Sequence, residues 1–554
     1  MLQTRIPPFG DVPGNGRPVA RRDAWARCAL ADVAKMLTLQ DRSPHSPTYG
    51  CFDRNHWHYK IIDFPSGMSQ EFVWPLALAV TTDLPDNRYR DSAAVRDWVE
   101  AGIDFARRAS HPDGSCDDYF PFERAIGAAA FSLLAGLESY RLLGLDRPDL
   151  VGFFERRAGW LAGHRESGQL SNHEALVVAC LVRLSDLTGN DRWNGAIQER
   201  LDRLLSWQTG EGWFREYEGC DPGYLTLTIS LLAMLDGWRP EFGLTDPLTR
   251  AVRFAAELMH PDGTYGGEYA SRNTHNYFPH GFEAVGHWLP EALAMNDRHL
   301  EALEAGRGPC YADDHILGHH AWNYLLAWQC HVPERPEPLP EPGPEPGDGR
   351  RWFPEAGLLV ERRGGTALFA ALNKGGNFKL FRDGALVASD TQLSLQVQDK
   401  GRARTAVAHL VDRYPVTLTE DAVVVSGSFG WAKHTQMTVA RMLLLRIVMT
   451  TAGRFFPNLI RRMLQAMLIA GKKPAPFRFR RTFRWNGATL EVEDRVEGAN
   501  WASVQAAGLG GHQTSIYVVM SRVFTPAQLQ PWRDLTPDVK ALGDGQPLTL
   551  TRTF

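Results

Sequence analysis

Residues suited to proton chemistry beside an anion fall in two stretches of this chain. The first is QLSNHEALVVA, Gln169 to Ala179, and the second is GCDPGYLTLTISLL, which places Tyr224 51 residues after His173. Ser171 and Glu174 have the Ser-x-x-Glu spacing of a capping box, which puts Asn172 and His173 in the first turn of a helix. A helix N-terminus presents unpaired amide donors and a positive partial charge, and Asn172 and His173 add two directed polar groups, so the place suits a carboxylate. The plainer reading of the same tetrapeptide is a helix cap and nothing more. Tyr224 follows a Pro-Gly turn at the start of a later helix. A phenol titrating near pH ~10 is a poor base at neutral pH unless positive charge lies beside it. Arg215 and Tyr217 in the loop GWFREYEG, with His173, are the candidates to supply cation and polarity there.

Further polar residues crowd three other loops. GGEYASRNTHNYFPHGFE packs Arg272, Asn273, His275, Tyr277 and His280 into nine residues, more functionality than a connector needs. Arg272 and His280 are expected to contact substrate there. YFPFERAIGA offers Tyr119, Glu123 and Arg124, and CFDRNHWHYK offers His56, Trp57 and His58 as sugar-stacking or edge contacts. Trp213 and Tyr277 are further aromatic candidates for a sugar face. His315 and His319 have the i, i+4 spacing of a zinc pair but lack the Glu of His-Glu-x-x-His, so a solvated helix start is the simpler reading and no metal is expected. Glu123, Glu174, Glu216 and Glu268 follow comparable turns and leave a two-carboxylate hydrolase open, with nothing to single out a pair. No phosphate-binding glycine loop, nucleophile elbow or nucleotide fingerprint is present, and no cofactor is implied.

Helices must position these residues. Apolar residues recur at three and four spacings over Ala125 to Leu142, Glu174 to Leu187, Tyr224 to Trp238, Leu248 to Met259 and His315 to Gln329. Between them a turn recurs as HPDGS, RESGQ, TGEGW and HPDGT, with glycines at 114, 168, 212 and 263, intervals of 54, 44 and 51 residues. That period fits a repeated pair of antiparallel helices, about six of which build an α/α toroid over residues 1–332. A Pro-rich linker, 333–350, containing PERPEPLPEPGPEP, follows as an extended spacer. From 351 to 554 the pattern is that of an antiparallel β-sandwich: Phe477, Phe479, Phe483 and Trp485 alternate, Asn486-Gly487 reads as a two-residue hairpin turn, and Leu490 and Val492 continue beyond it. Residues 437–473 interrupt this texture with an apolar stretch carrying seven basic residues and no acid. Helices packed on the sheet or toroid are one reading, and peripheral contact with an anionic membrane is the other.

The composition bounds the partners. With 60 Lys+Arg against 64 Asp+Glu and a net charge of −4, the chain is no general nucleic-acid binder, so an anionic ligand must be met by local charge. Seven scattered cysteines without Cys-x-x-Cys spacing, and no apolar leader among the first residues, lead to an expected reducing, cytoplasmic location.

Asn172-His173 at an inner-helix start, Pro222-Gly223-Tyr224 one repeat later, a helical toroid, a Pro-rich linker and a sandwich together resemble the toroid-plus-sandwich polysaccharide lyases, heparinase II/III-like and alginate-lyase-like. The resemblance implies β-elimination on a uronate-containing acidic polysaccharide, without metal or organic cofactor. It further implies that Asn172 and His173 neutralise the uronate carboxylate. Tyr224 would take the C5 proton, donate to the departing O4, or do both, with His173 an alternative base. Where that family carries His-x-His-x-Asp before a Gly-x-Phe strand, this chain has ALNKGGNFKLF with Asn373 and Lys374, so no zinc site and no sandwich-derived catalytic histidine is expected; His409, His434 and His512 are the remaining histidines there. A glycoside hydrolase, a uronate epimerase and a non-catalytic glycan-binding protein are the alternatives.

Overall fold

The 3.6-residue periodicity of the N-terminal part becomes thirteen helices among the described residues of a computed structural model. The structure describes residues 21–554 except 167, 217–218, 312–313, 336–348, 433–435, 452, 457–458, 461–462, 464–472, 499, 512–520 and 544. They are α1 (Asp23–Leu39), α2 (Arg54–Trp57), α3 (Val73–Thr81), α4 (Ala93–Ala109), α5 (Ile126–Leu142), α6 (Pro148–Gly163), α7 (Ser171–Thr188), α8 (Asn194–Leu205), α9 (Pro222–Trp238), α10 (Thr245–Glu257), α11 (His280–Val285), α12 (Pro290–Glu304) and α13 (Asp314–Gln329). α3, α5, α7, α9, α11 and α13 each pack on the next, and α13 packs back on α3, which closes an inner ring. α4, α6, α8, α10 and α12 each lean on an inner helix from outside, and α1 does the same for α13. The sixth hairpin is therefore formed by the first and last toroid helices. Trp25 sits 5.4 Å from the Tyr324 ring, and Trp328 Nε1 donates to Asp23 at 2.9 Å. Burial follows position: α5 and α9 are covered almost all round, whereas α4 and α10 bury one face, as a ring between core and solvent requires.

The recurring turns connect each outer helix to the next inner one. Gly114 and Gly212 have φ of +87° and +102°. A Cβ on Gly114 would stand 2.5 Å from the Arg157 amide nitrogen of α6, and one on Gly212 would stand 2.5 Å from the Arg250 carbonyl of α10. Glycine is thus needed twice over, for the left-handed backbone and for close approach of the following outer helix. This explains why the motif repeats at the period of the fold.

The second half holds β2 (Gly349–Phe353), β3 (Leu358–Arg363), β4 (Thr366–Ala371), β5 (Asn377–Arg382) and β6 (Ala385–Asp390) in one antiparallel sheet of that order, after a short β1 (Cys310–Tyr311) in the toroid. A larger sheet contains β7 (Leu393–Asp399), β8 (Arg402–Val407), β9 (Val416–Leu418), β10 (Ala422–Trp431), β11 (Pro474–Asn486), β12 (Thr489–Gly498), β13 (Val504–Leu509), β15 (Arg533–Asp534) and β16 (Leu548–Thr553). β14 (Ser521–Arg522) leaves the sandwich to pair with β1. Between β10 and β11 runs helix α14 (Val439–Thr450).

The smaller sheet is apolar on both faces. Leu358, Val360, Phe369 and Phe381 pack into the toroid core, while Leu359, Leu368, Phe378 and Leu380 pack against Val423, Phe483 and Val492 of the larger sheet. Period-two alternation sends neighbours to opposite faces, so the sheet mortars the two halves together. The β11–β12 turn is one residue later than the sequence suggests: Asn486 pairs with Thr489, leaving Gly487 and Ala488 in the turn, with Gly487 at φ +58°.

Candidate active site

The starts of α7 and α9 come together at one end of the toroid. The expected capping box does not form. Leu170 is the N-cap of α7 without a side-chain cap bond, and Glu174 instead pairs with Arg200 and Arg203 of α8. Ser171 Oγ lies 3.0 Å from Thr228 Oγ1 of α9, so it ties inner helix to inner helix. α9 is the capped one: Asp221 Oδ1 accepts from the Tyr224 amide at 3.0 Å, with Pro222 at the first helical position. Its other partners, Thr274 Oγ1 at 2.6 Å and the Arg272 amide at 2.9 Å, fasten the loop 266–276 to the start of that helix.

Glu216 joins the cluster. Its Oε2 accepts from Asn172 Nδ2 at 2.9 Å, and its Oε1 lies 2.9 Å from Arg272 Nη1. The Arg272 guanidinium in turn lies over the Tyr224 ring, 4.0 Å from its centroid. Asn172, Glu216, Tyr224 and Arg272 are all buried, and Asn172 Oδ1 has no hydrogen-bond partner among the described residues. Burial pushes the Glu216 carboxyl above its ordinary range, opposed by Arg272, His173 and Asn172. His173, the next residue of α7, is partly exposed; its Nδ1 lies 3.1 Å from Glu166 Oε1, and its ring stands edge-on to Phe131. Across the ring, His319 of α13 stacks on Phe131 at 3.9 Å, with Nδ1 2.5 Å from Glu71 Oε2.

The other sequence candidates divide. Arg215 is exposed, 5.9 Å from the Trp213 ring, because it alternates with the inward-facing Glu216; the cation beside Tyr224 is Arg272. Tyr217 lies outside the described residues, as do His434 and His512. Tyr277 is fully buried, donates to Asn296 at 2.7 Å and stacks on Phe282, and Trp213 is buried too, so neither presents a face to sugar. His280 starts α11 with Nδ1 3.1 Å from Ser230 Oγ, and burial holds it at about 4, a neutral core histidine. His275 faces Glu268 rather than Tyr224. Glu123 accepts the amides of Asp118 and Tyr119, and Arg124 reaches Asp113, so both shape the turn before α5. Trp57 is bonded to the Leu39 carbonyl at the toroid's edge. Tyr119 is exposed, 6.5 Å from the His315 ring, at the rim above His319. No group of three or more potential metal ligands gathers among the described residues.

Sequence reasoning gave no role to Asp221, although Asp before Pro at a helix start is a capping signal. Lys374, which stands where the resembled family carries a histidine, has a use that its sequence context does not show. Lys374 reaches out of the sandwich and donates to the carbonyls of Glu268 and Ala270 at 2.9 and 2.8 Å and to Asn273 Oδ1 at 2.5 Å. Burial lowers its ammonium to about 7. Lys379 lies 3.4 Å from Glu268, so the sandwich grips the loop that carries Arg272. His409 is buried in the sandwich.

No family model matches the sequence, and no curated protein sequence matches it. Among solved structures, the chain is similar to the chondroitin AC lyase of Streptomyces coelicolor (11% identity, TM-score 0.49, 98% of this chain and 80% of that one). It is also similar to a Paenibacillus xanthan lyase at 11% identity and TM-score 0.45, covering 96% of this chain but only 56% of that longer one. A sugar epimerase from a ruminal bacterium matches at 11% identity and TM-score 0.41, over 56% of this chain and 99% of that chain. The likeness is one of overall architecture, a helical toroid followed by a β-sandwich as in polysaccharide lyases.

Proposed function

We propose that the chain is a polysaccharide lyase that cleaves a uronate-containing glycan by β-elimination. One arrangement supports the reading: a phenol, an amide and a guanidinium, Tyr224, Asn172 and Arg272, held together by Glu216 where two inner helices begin. The C5 proton of a uronate becomes removable only when the carboxylate beside it is hydrogen-bonded or charge-paired, because the electrons left behind spread onto its oxygens. Preorganised donors supply that stabilisation, and Asn172 and Arg272 are the donors here. The base, Tyr224 or the Glu166-supported His173, takes the proton; the electron pair forms the C4–C5 double bond as the C4–O4 bond breaks. O4 leaves with a proton returned by the same or the partner group. The products are a chain ending in a 4,5-unsaturated uronate and one ending in a free hydroxyl.

Two groups able to carry a proton, Tyr224 and the Glu166-paired His173, favour a second reading, C5 epimerisation, in which one takes the C5 proton and the other returns one to the opposite face of the carbanion. Both share the first step. The deciding experiment incubates the protein with a panel of acidic polysaccharides in deuterated water. Ultraviolet absorbance of the unsaturated end that falls roughly 100- to 10,000-fold in rate for Tyr224→Phe supports the lyase. Deuterium at C5 without scission supports the epimerase, and new reducing ends without absorbance sink both in favour of a hydrolase.

A further inference from the structure

Among the described residues between β10 and β11, only Met449 and Gly453 are buried. α14 buries Met449, half-buries Leu445 and Val448, and turns other apolar residues outward: Val439, Leu444 and Ile447, and beyond them Phe455 and Phe456, are between 61% and 70% exposed. Met437, Met442, Leu443, Leu459 and Met463 are exposed as well. Soluble surfaces scatter such residues singly, and a contiguous patch marks an interaction site. At 100° per residue, Val439, Leu443, Leu444 and Ile447 share one face of α14, with Arg441 on one flank and Arg446 on the other.

The helix is held in that pose from the toroid. Arg446 Nη1 lies 2.5 Å from Asp63 Oδ1, and its guanidinium sits 5.5 Å from the Phe64 ring. Beside that anchor, the loop preceding Asp63 exposes Tyr59 and Ile61, the latter 73% exposed. Both halves of the molecule thus contribute apolar side chains near the same anchor.

Charge decides the occupant. Residues 437–473 contain seven basic residues and no acid, which leaves 53 basic against 64 acidic residues elsewhere. A second copy of this face would set arginine against arginine around its apolar centre, so self-association is disfavoured. An anionic bilayer offers both halves of the complement, acyl chains for the apolar stripe and headgroup phosphates for the exposed Arg441 and Arg454. No helix among the described residues is long and apolar enough to cross a membrane, and the short stripe suits a helix lying in the interface plane. We propose that α14, Phe455 and Phe456, with Tyr59 and Ile61, form a docking surface for an anionic phospholipid membrane, on which the protein sits peripherally.

The test is co-sedimentation of the full chain with vesicles of phosphatidylcholine alone and of phosphatidylcholine mixed with phosphatidylglycerol. Binding is expected to the mixed vesicles and to fall as salt rises from ~0.1 to ~1 M, where the screening length shrinks from about 10 to about 3 Å. A Leu443→Ser/Leu444→Ser/Ile447→Ser variant should bind at least about tenfold more weakly, since interfacial affinity scales with buried apolar area. Arg441→Gln/Arg454→Gln should lose roughly fivefold per arginine and part of the salt dependence. All five positions are solvent-facing, so circular dichroism and thermal midpoints should match the parent. Equal binding to neutral and mixed vesicles, or undiminished binding by the triple variant, overturns the proposal. So does a concentration-dependent dimer that the triple variant abolishes while neither protein sediments with vesicles.

Discussion

Glu216 is the carboxylate through which Asn172 and Arg272 share one anion, and it does so while buried. Its bonds take one of the two N–H groups of Asn172 and one of the five of Arg272. Replacing it with glutamine keeps the volume but sets an amide N–H against one of the two donors. We expect Glu216→Gln to lower kcat roughly 10- to 100-fold, the equivalent of about 1–3 kcal/mol from a mispaired buried group. A pH profile separates this positioning role from mere loss of structure. Burial raises the Glu216 carboxyl, so the parent should gain activity as pH rises through that raised value and Arg272 acquires its ionised partner. That limb should be absent in the variant, and a retained limb would assign it to another group. Asn172→Ala should cost roughly 100- to 1000-fold in kcat, as loss of one preorganised donor does. That Asn172-His173 and Tyr224 stand at helix starts was legible from sequence, the first from polar residues opening an apolar run although no capping box forms there, the second from its Pro-Gly turn. Glu216 was one of four equivalent turn carboxylates, and only the alternation of Arg215 outward and Glu216 inward separates it from its neighbours.

The toroid's turns make a sharper prediction at the level of elements. Gly263 has φ +76°, and a Cβ there would collide with the Arg298 carbonyl oxygen of α12. Gly263→Ala should therefore destabilise the protein by about 2 kcal/mol or more, read as a lowered thermal midpoint, with α12 shifted outward. Gly189→Ala, at φ +62° with nothing within 4 Å, is the control that carries the backbone strain alone and should cost about half as much. The helical ring was readable because its period is written twice, in apolar spacing and in these glycines. The capping box expected at Ser171 is absent because Glu174 has a stronger use, its pairing with Arg200 and Arg203, which lie in a different helix. Pairings between helices leave no mark at the local spacings from which caps are read.

For the whole molecule, the order of toroid then sandwich followed from the change of period along the chain, but how the halves lock together did not. A strand apolar on both faces reads as an ordinary buried strand, and a lysine in it, such as Lys379 of β5, reads as solvent-facing until another domain covers it. The sandwich has its own buried lock. Arg481, on the inward face of β11, lies 2.9 Å from Asp390 and 2.6 Å from Asp494, and Arg552 reaches both carboxylates at 2.5 and 2.8 Å. Burial would raise the Asp390 carboxyl, but Arg481 and Arg552 outweigh it and hold it at about 2 instead of 3.8. A depressed carboxyl contributes stability that is full above the unfolded value and fades as pH falls towards the folded one, here about 2 kcal/mol between roughly pH 4 and pH 2. Arg552→Met should therefore lower the thermal midpoint most at neutral pH, with the gap to the parent narrowing below pH ~4; a constant gap would show that Asp390 is not the group responsible. The closure of the inner ring bears on the order in which the protein is made. α1 emerges from the ribosome before the other toroid helices, yet its partners Tyr324 and Trp328 come about 300 residues later. Its buried face, including Trp25, must stay unsatisfied through synthesis of the entire toroid. Vectorial folding cannot finish this ring hairpin by hairpin, and α1 is the segment that a nascent-chain chaperone would have to hold longest.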